Sequence, residues 1–337
     1  MPIGFDVGTY NLICSRRADS EVKNRKQVNC FVEFLIDENR TTLNAMKSIK
    51  PPIPIIEREK FAYIVGQAAI DMAYTLPGIV LHRPMKDGCL NPQEKDAFRT
   101  LSIMIHSLIG EVDKDKEILY YSVPANAINQ DTDADYHNAV LKSIFKAYNI
   151  NGKTVQAFGI NEGLCLVLAE LLSKQYTGIG ISFGSGMVNL CYSIYSQPVF
   201  QMSLVNAGDW IDKMAAKACG ETPTVINKEK TKIDLTKAPT TLLERAIKTQ
   251  YELLIQKTVS SIKKGIIEAG ARAATESPLD VIVAGGTSSP PGFVELFTEM
   301  VKESQWSIPV GEIKKPADHL YAVSRGALVA AENHSVS

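Results

Sequence analysis

Histidine is scarce in this 337-residue chain, and its five copies (His82, His106, His137, His319 and His334) form no pair at metal-ligand spacing. The six cysteines, Cys14, Cys30, Cys89, Cys165, Cys191 and Cys219, are scattered, with no Cys-x-x-Cys pair and no histidine close by. That pattern excludes a zinc site on spacing, makes most of them small core residues in apolar runs, and fits a reducing cytoplasm. No serine sits in a Gly-x-Ser-x-Gly elbow, which removes one route to a nucleophilic hydrolase. Net charge is missing too: 36 basic against 37 acidic residues leave -1, too little for a broad nucleic-acid footprint. No apolar run approaches the ~18 residues of a membrane span, and a strand beginning near Ile3 leaves no room for a signal peptide. What is present is an ordinary soluble composition, 45% hydrophobic and 22% charged. The length exceeds what one hydrophobic core usually serves, so two domains are expected.

Two glycine turns stand out, Phe5-Asp6-Val7-Gly8-Thr9-Tyr10-Asn11 and Ser182-Phe183-Gly184-Ser185-Gly186-Met187. Each follows a β-like run, Ile3 to Val7 and Gly178 to Phe183, and leads into another, Leu12 to Ser15 and Val188 to Tyr195. Both therefore read as tight β-hairpins. A glycine at the tip lets the backbone turn sharply and aim its N–H groups at an anion. One such hairpin is a weak signal, because most hairpins contain glycine. Two, about 175 residues apart and the first with an acidic residue near its strand end, suggest two half-molecules clamping one polyphosphate.

Between these turns the apolar period predicts helices at Gln67–Tyr74, Asp96–Leu108 (Phe98, Leu101, Ile105 and Leu108 inward), Asp133–Tyr148 and Asn161–Lys174. Strands are expected at Phe61–Val65, Ile118–Val123 and Val155–Phe158. The rest of the first third reads as strands and loops, with Lys50-Pro51-Pro52-Ile53-Pro54 extended. Beyond the second turn, helices are predicted at Asp209–Cys219, Leu242–Glu268, Phe293–Glu303 and Tyr321–Glu332, and a strand at Val281–Val283. The lysine-rich stretch Lys228 to Lys237 reads as a solvated loop or, less simply, a weak polyanion contact. The order of hairpin, strands and helices occurs twice, a coarse internal repeat.

Five motifs in this order resemble the actin, Hsp70 and sugar-kinase ATPase superfamily, and within it the prokaryotic actins of the MreB, MamK and ParM type. Gly4 to Thr9 is similar to the first phosphate loop and Gly184 to Met187 to the second. Asn161-Glu162-Gly163 resembles the first connecting segment, Ala284 to Gly292 the adenosine motif, and Arg325-Gly326-Ala327-Leu328 the second connecting segment. Arg83-Pro84-Met85-Lys86-Asp87-Gly88 is similar to a stretch of MreB and its relatives, and Gly208-Asp209, with Glu229 and Lys232, to their nucleotide-sugar contacts.

The resemblance implies an α/β, actin-like (ribonuclease H-like) fold: two similar domains, each a mixed sheet flanked by helices, with nucleotide in the cleft. Domain I would span 1–150 with a smaller subdomain near 30–75. Domain II would span 151–337 with one near 208–270, the last helix packing back toward domain I. It implies ATP or ADP with Mg²⁺ as cofactors. Gly8, Thr9, Tyr10 and Asn11, with Gly184, Ser185, Gly186 and Met187, would hold phosphates. Gly208, Asp209, Glu229, Lys232, Gly285, Gly286 and Thr287 would contact adenosine, Glu229 and Lys232 being equally readable as a solvated charge pair. Asp6 is a hard oxygen ligand suited to Mg²⁺, or else a turn carboxylate bonded to local amides. Glu162 would orient the attacking water, or is a helix-start carboxylate favoured by the dipole.

Ser182 departs from the family pattern, in which most members carry an aspartate there to help hold the magnesium waters. A neutral hydroxyl is a weaker partner for a hydrated dication, so hydrolysis is expected to be slow or another carboxylate to substitute. The implied function is an ATP-hydrolysing cytoplasmic protein that polymerises head to tail with itself into paired protofilaments, with an adaptor of unknown kind, no direct nucleic acid and no membrane helix. The segments Lys50 to Arg58 and Lys228 to Leu235 are candidate subunit contacts. Alternatives are a monomeric ATPase or kinase-like switch and a slowly hydrolysing scaffold.

Overall fold

The computed structural model describes residues 1–50, 53–94, 96–270, 275 and 277–336. The chain opens with three antiparallel strands, β1 (Ile3–Val7), β2 (Asn11–Ala18) and β3 (Glu21–Val28). A small sheet follows, β4 (Phe31–Leu35), β5 (Ile55–Arg58) and β6 (Phe61–Val65) in the order β4-β6-β5, with helices α1 (Ile36–Lys47) and α2 (Gln67–Thr75). The short pair β7 (Met85–Lys86) and β8 (Cys89–Leu90) leads to α3 (Ala97–Ile109), β9 (Glu117–Val123), α4 (Ala134–Lys146) and β10 (Val155–Asn161). Strands β9 and β10 run parallel beside β1 and complete a five-stranded sheet, β10-β9-β1-β2-β3.

The same design then recurs. After α5 (Glu162–Glu170) come β11 (Gly178–Phe183), β12 (Met187–Ile194) and β13 (Gln197–Val205), again consecutive and antiparallel. Helices α6 (Gly208–Cys219), α7 (Pro223–Glu229) and α8 (Leu242–Ala269) follow, then β14 (Leu279–Ala284), α9 (Phe293–Ser304), β15 (Val310–Lys314) and α10 (Ala322–Val336). The second sheet has the order β13-β12-β11-β14-β15, with β14 and β15 parallel to β11. All six residues of β11 and of β14 are buried, as strands covered on both faces should be, Ser182 and Asp280 being the polar exceptions in otherwise apolar runs.

Helices α5 and α10 join the two sheets. α10 lies against β1, β9 and α5, and α5 lies against β11 and β12. Their closeness depends on a missing side chain: a Cβ on Gly326 of α10 would stand 1.8 Å from the carbonyl oxygen of Cys165 on α5. α5 starts where it does because Asn161 caps it, its Oδ1 accepting from the N–H groups of Gly163 (2.9 Å) and Leu164 (3.3 Å). That cap fixes Glu162 as the first helical residue.

The predicted helices and strands all form, within a few residues of their expected ends. Three expectations need correction. Helix α1 occupies part of a region read as strands and loops; it is so polar that only Leu43 and Met46 are buried, and the apolar period is too sparse to see. Phe98 points outward, 46% exposed, while Leu101, Ile105 and Leu108 pack inward. The lysine-rich stretch is not a simple solvated loop: Thr222 caps α7, Pro223 starts it, and Lys230 just past its end is buried. Of the Lys50 to Arg58 segment, Pro51 and Pro52 lie outside the described residues; Glu57 and Arg58 are exposed on β5. No helix among the described residues is long and apolar enough to cross a membrane.

Candidate functional site

Both glycine turns are tight hairpins of the same make. The Gly8 N–H donates to the Asn11 carbonyl at 3.0 Å, and the Gly184 N–H to the Met187 carbonyl at 2.9 Å. Their tips meet at one cavity of about 290 Å³ between the two sheets. A Cβ on Gly186 would lie 2.6 Å from Thr9 Oγ1 and 2.4 Å from the Gly88 backbone nitrogen, so only glycine permits this approach of the second tip to the first. The β7–β8 turn thus closes in beside both loops, and Arg83 stacks over the Tyr10 ring with its guanidinium carbon 5.2 Å from the ring centre.

Two carboxylates line this cavity, Asp6 on β1 and Glu162 at the start of α5. Asp6 accepts from Ser122 Oγ on β9 at 2.8 Å, and the same oxygen accepts from the Val7 N–H at 2.9 Å. Burial pushes the Asp6 carboxyl up to about 6, with the Ser122 hydrogen bond opposing. Glu162 shares the cavity wall with Ser182 and Asn189, and side-chain hydrogen bonding from these two favours its ionised form. Burial, and after it the negative charge of Asp6, raise the Glu162 carboxyl to about 8 against those bonds. A paired, desolvated set of acids facing a pocket of backbone amides is suited to a polyanion with its cation, and one acid of the pair to proton transfer near neutral pH.

Most residues singled out from the sequence come together here. Asp6, Gly8, Thr9, Tyr10, Asn11, Glu162, Ser182, Gly184, Ser185, Gly186, Met187, Gly285, Gly286 and Thr287 line the cavity. Thr287 Oγ1 donates to the Gly184 carbonyl at 2.7 Å and braces the second loop. Gly208 and Asp209 stand behind that loop: their N–H groups donate to the carbonyls of Gly184 (3.1 Å) and Ser185 (2.8 Å), and Ser185 Oγ donates to the Asp209 carboxylate. Glu229 and Lys232 do not reach the cavity; they pair with each other at 2.7 Å on the surface.

The wall they were expected to form is made instead by Asn227, Lys230 and Thr231. Lys230 Nζ is held by Asp212 at 2.7 Å and the Gly208 carbonyl at 3.1 Å, and Asn227 Nδ2 donates to Asp212 at 2.8 Å. Asn227 and Lys230 have the same three-residue spacing as Glu229 and Lys232, two positions earlier; only the burial of Ile226 in the same turn distinguishes the registers. Ser289, within the Ala284–Gly292 stretch, lines the cavity hydrogen-bonded to His319 at 3.0 Å; His319 and Asn189, which also line it, carried no sequence signal. Among the described residues no group of three or more His, Cys, Asp or Glu side chains could hold a metal alone.

The sequence profile of the volactin family matches residues 1–331. The chain belongs to the volactin family. No curated protein matches this volactin-family chain in sequence. Its fold is similar to that in a structure described as the MamK double helical filament, at TM-score 0.73 and 17% identity over 98% of both chains. It is also similar to MreB5 of Spiroplasma citri bound to AMPPNP, at TM-score 0.67 and 13% identity over 99% of this chain and 97% of the other. The ethanolamine utilization protein EutJ from Carboxydothermus hydrogenoformans matches at TM-score 0.53 and 14% identity, over 97% and 88%. At such identities the likeness establishes the fold: a prokaryotic actin-like, two-domain α/β architecture.

Proposed function

We propose that this volactin-family chain binds ATP and ADP between its two sheets, hydrolyses ATP slowly, and polymerises head to tail into cytoplasmic filaments. The observation that carries the reading is the convergence of two glycine hairpins and two carboxylates on one cavity. With the Gly8 and Gly184 N–H groups spent on closing their turns, the backbone N–H groups of Thr9 and Tyr10 would hold phosphate from one side, and those of Ser185 and Gly186 from the other. Gly285, Gly286 and Thr287, with Asn227 and Thr231, would border the nucleoside.

Asp6 fits a Mg²⁺ that shares its remaining ligands between water and phosphate oxygens, the usual arrangement for this ion, and no larger ligand cluster is required. Bound there, Mg²⁺ would supply charge neutralisation on the phosphates. Glu162 would orient the attacking water and take its proton as the water oxygen bonds to the γ-phosphorus and the bond to the β-phosphate oxygen breaks. Ser182, engaged with Glu162, offers no second carboxylate to the cation, which supports slow turnover.

The lobes that move would be built around the two sheets, the first reaching to the end of β10 at residue 161 and the second beginning with α5. The small sheet with α1 and α2, and the α6–α8 region, would be their outer parts. Nucleotide bridging the lobes biases their angle and so the subunit contact. A head-to-tail contact that does not close on itself yields an open filament. The MamK neighbour is described as a double helical filament, and MreB5 of Spiroplasma citri is described bound to AMPPNP and to ADP. Those descriptions favour paired protofilaments and adenine nucleotide here.

The test mixes purified protein with Mg-ATP or Mg-ADP and follows light scattering, pelleting and phosphate release. Nucleotide-dependent pelleting with slow phosphate release is expected. Calorimetry that detects neither ATP nor ADP uptake at saturating Mg²⁺ overturns the reading.

A further inference from the structure

One row of the second sheet breaks its apolar pattern. Ser182 on β11 stands opposite Asn189 on β12, and Asn189 stands opposite Ser203 on β13. Directly opposed residues of antiparallel strands share a face, so the three side chains line up. All are buried, Ser203 completely. Leaving such groups without partners is costly, so what they bond to is informative.

Ser203 Oγ donates to Asn189 Oδ1 at 2.5 Å. With its carbonyl oxygen turned toward Ser203, Asn189 has its NH₂ group available for Glu162, which shares the cavity wall with it and whose ionised form it favours. Ser182 lies on the same wall and acts on the Glu162 carboxyl in the same direction.

Ser203 is itself anchored from the other half of the molecule. Its N–H donates to the Asn126 carbonyl at 3.3 Å, and its carbonyl accepts from the Ile128 N–H at 3.0 Å. Two residues on, the Asn129 side chain brackets the Val205 backbone, donating to its carbonyl at 2.8 Å and accepting from its N–H at 2.9 Å. The segment Asn126–Asn129, which follows β9 of the first sheet, is thereby laid along β13.

We propose that Asn189, locked in one orientation by Ser203, is a positioning residue for Glu162 in nucleotide hydrolysis. The inference rests on the reading of the cavity as an ATPase site, and it assigns a task to a polar row that the nucleotide itself would not touch beyond Asn189. Ser203 acts only through Asn189. Without its hydroxyl the amide is free to flip, present its oxygen to Glu162 and repel the carboxylate instead of holding it.

The test measures ATP affinity by calorimetry and kcat by phosphate release on the full chain, for the unaltered protein and for Asn189→Ala, Ser203→Ala and Ser203→Thr. ATP binding and phosphate release by the unaltered protein come first; failure of either overturns the ATPase reading, and the inference falls with it. Given both, Asn189→Ala is expected to lower kcat by ~10²-fold, the scale of losing a well-placed acid–base group. Ser203→Ala removes only a hydroxyl, leaves the fold intact, and is expected to lower kcat by roughly tenfold with affinity within about twofold. Ser203→Thr keeps the hydroxyl and should recover most of that loss. Unchanged kcat in both alanine variants, affinity falling in step with kcat, or no rescue by Ser203→Thr overturns the proposal.

Discussion

In the first hairpin the polar residue next to the strand end is the acid Asp6, and the hydroxyl that bonds it, Ser122, comes from the neighbouring strand β9. In the second hairpin the matching residue is the hydroxyl, Ser182, and the acid that it bonds, Glu162, comes from the neighbouring helix α5. The loops have the same backbone closure, 3.0 Å in one and 2.9 Å in the other. What differs is which element supplies the charge. The cavity therefore holds one carboxylate from each half, and an aspartate at 182 would add a third beside the acid already pushed up to about 8. Ser182 thus spares the pocket a third carboxylate beside Glu162.

If the division of labour is right, the two acids fail differently. Glu162→Gln should cut phosphate release by ~10²–10⁴-fold while ATP still binds, because an amide can accept a hydrogen bond but cannot take the water's proton. Calorimetry and a phosphate assay on one preparation check this; equal loss of binding and turnover would place Glu162 among the binding groups.

The halves should also separate by pH in the absence of nucleotide. Both carboxyls titrate higher when folded, so each binds more protons in the native state and stability falls as pH rises. For Glu162 the window runs from its ordinary 4.5 to about 8, and for Asp6 from 3.8 to about 6. Stability is fully helped below the lower bound and the help is gone above the upper. Denaturant melts between pH 5 and 8.5 should show a loss of a few kcal/mol. Glu162→Gln should flatten most of that slope, and Asp6→Asn should remove its part below pH 6 and, by taking away a charge that raises Glu162, weaken the part above it. A slope untouched by Glu162→Gln would mean that its desolvation is not what weakens the protein.

The asymmetry was only half legible in the amino-acid sequence. Glycine turns and the Asp6 strand end are local signals, and local signals survive without coordinates. The exchange of acid and hydroxyl is not local: Ser122 and Asp6 are 116 positions apart, and Ser203 and Asn189 meet through sheet register. Likewise α7 could be read in two registers, because Asn227/Lys230 and Glu229/Lys232 share one spacing. Packing of Ile226 turns the first pair inward, and Asp212 makes the burial of Lys230 tolerable. Helix α1 went unseen for the opposite reason, since a helix with two buried side chains has little periodicity to show.

Ser182→Asp tests the charge count directly. A third carboxylate beside Glu162 should cost about 1–3 kcal/mol of stability in the absence of nucleotide, through like-charge repulsion in a desolvated pocket. Mg-ATP should restore much of it, which melting curves with and without the nucleotide would show. A variant as stable as the parent without nucleotide would mean that the second half tolerates the charge and that Ser182 is there for another reason.

The smallest effect is expected on the outer face of the second half. Glu229 and Lys232 form an exposed i,i+3 pair, 41% and 65% open to solvent at the side chains, for Glu229 and Lys232 in turn. Such pairs contribute roughly 0–1 kcal/mol, and this one borders no part of the cavity. Replacing both by alanine should leave ATP affinity within about twofold and stability within about 1 kcal/mol. The comparison is sharp because the sequence pattern is the same two residues earlier, where it faces inward. Loss of nucleotide affinity in the double variant would show that α7 turns its other side to the nucleotide when the cleft closes, and would move the nucleoside wall from Asn227 and Thr231 to Glu229 and Lys232.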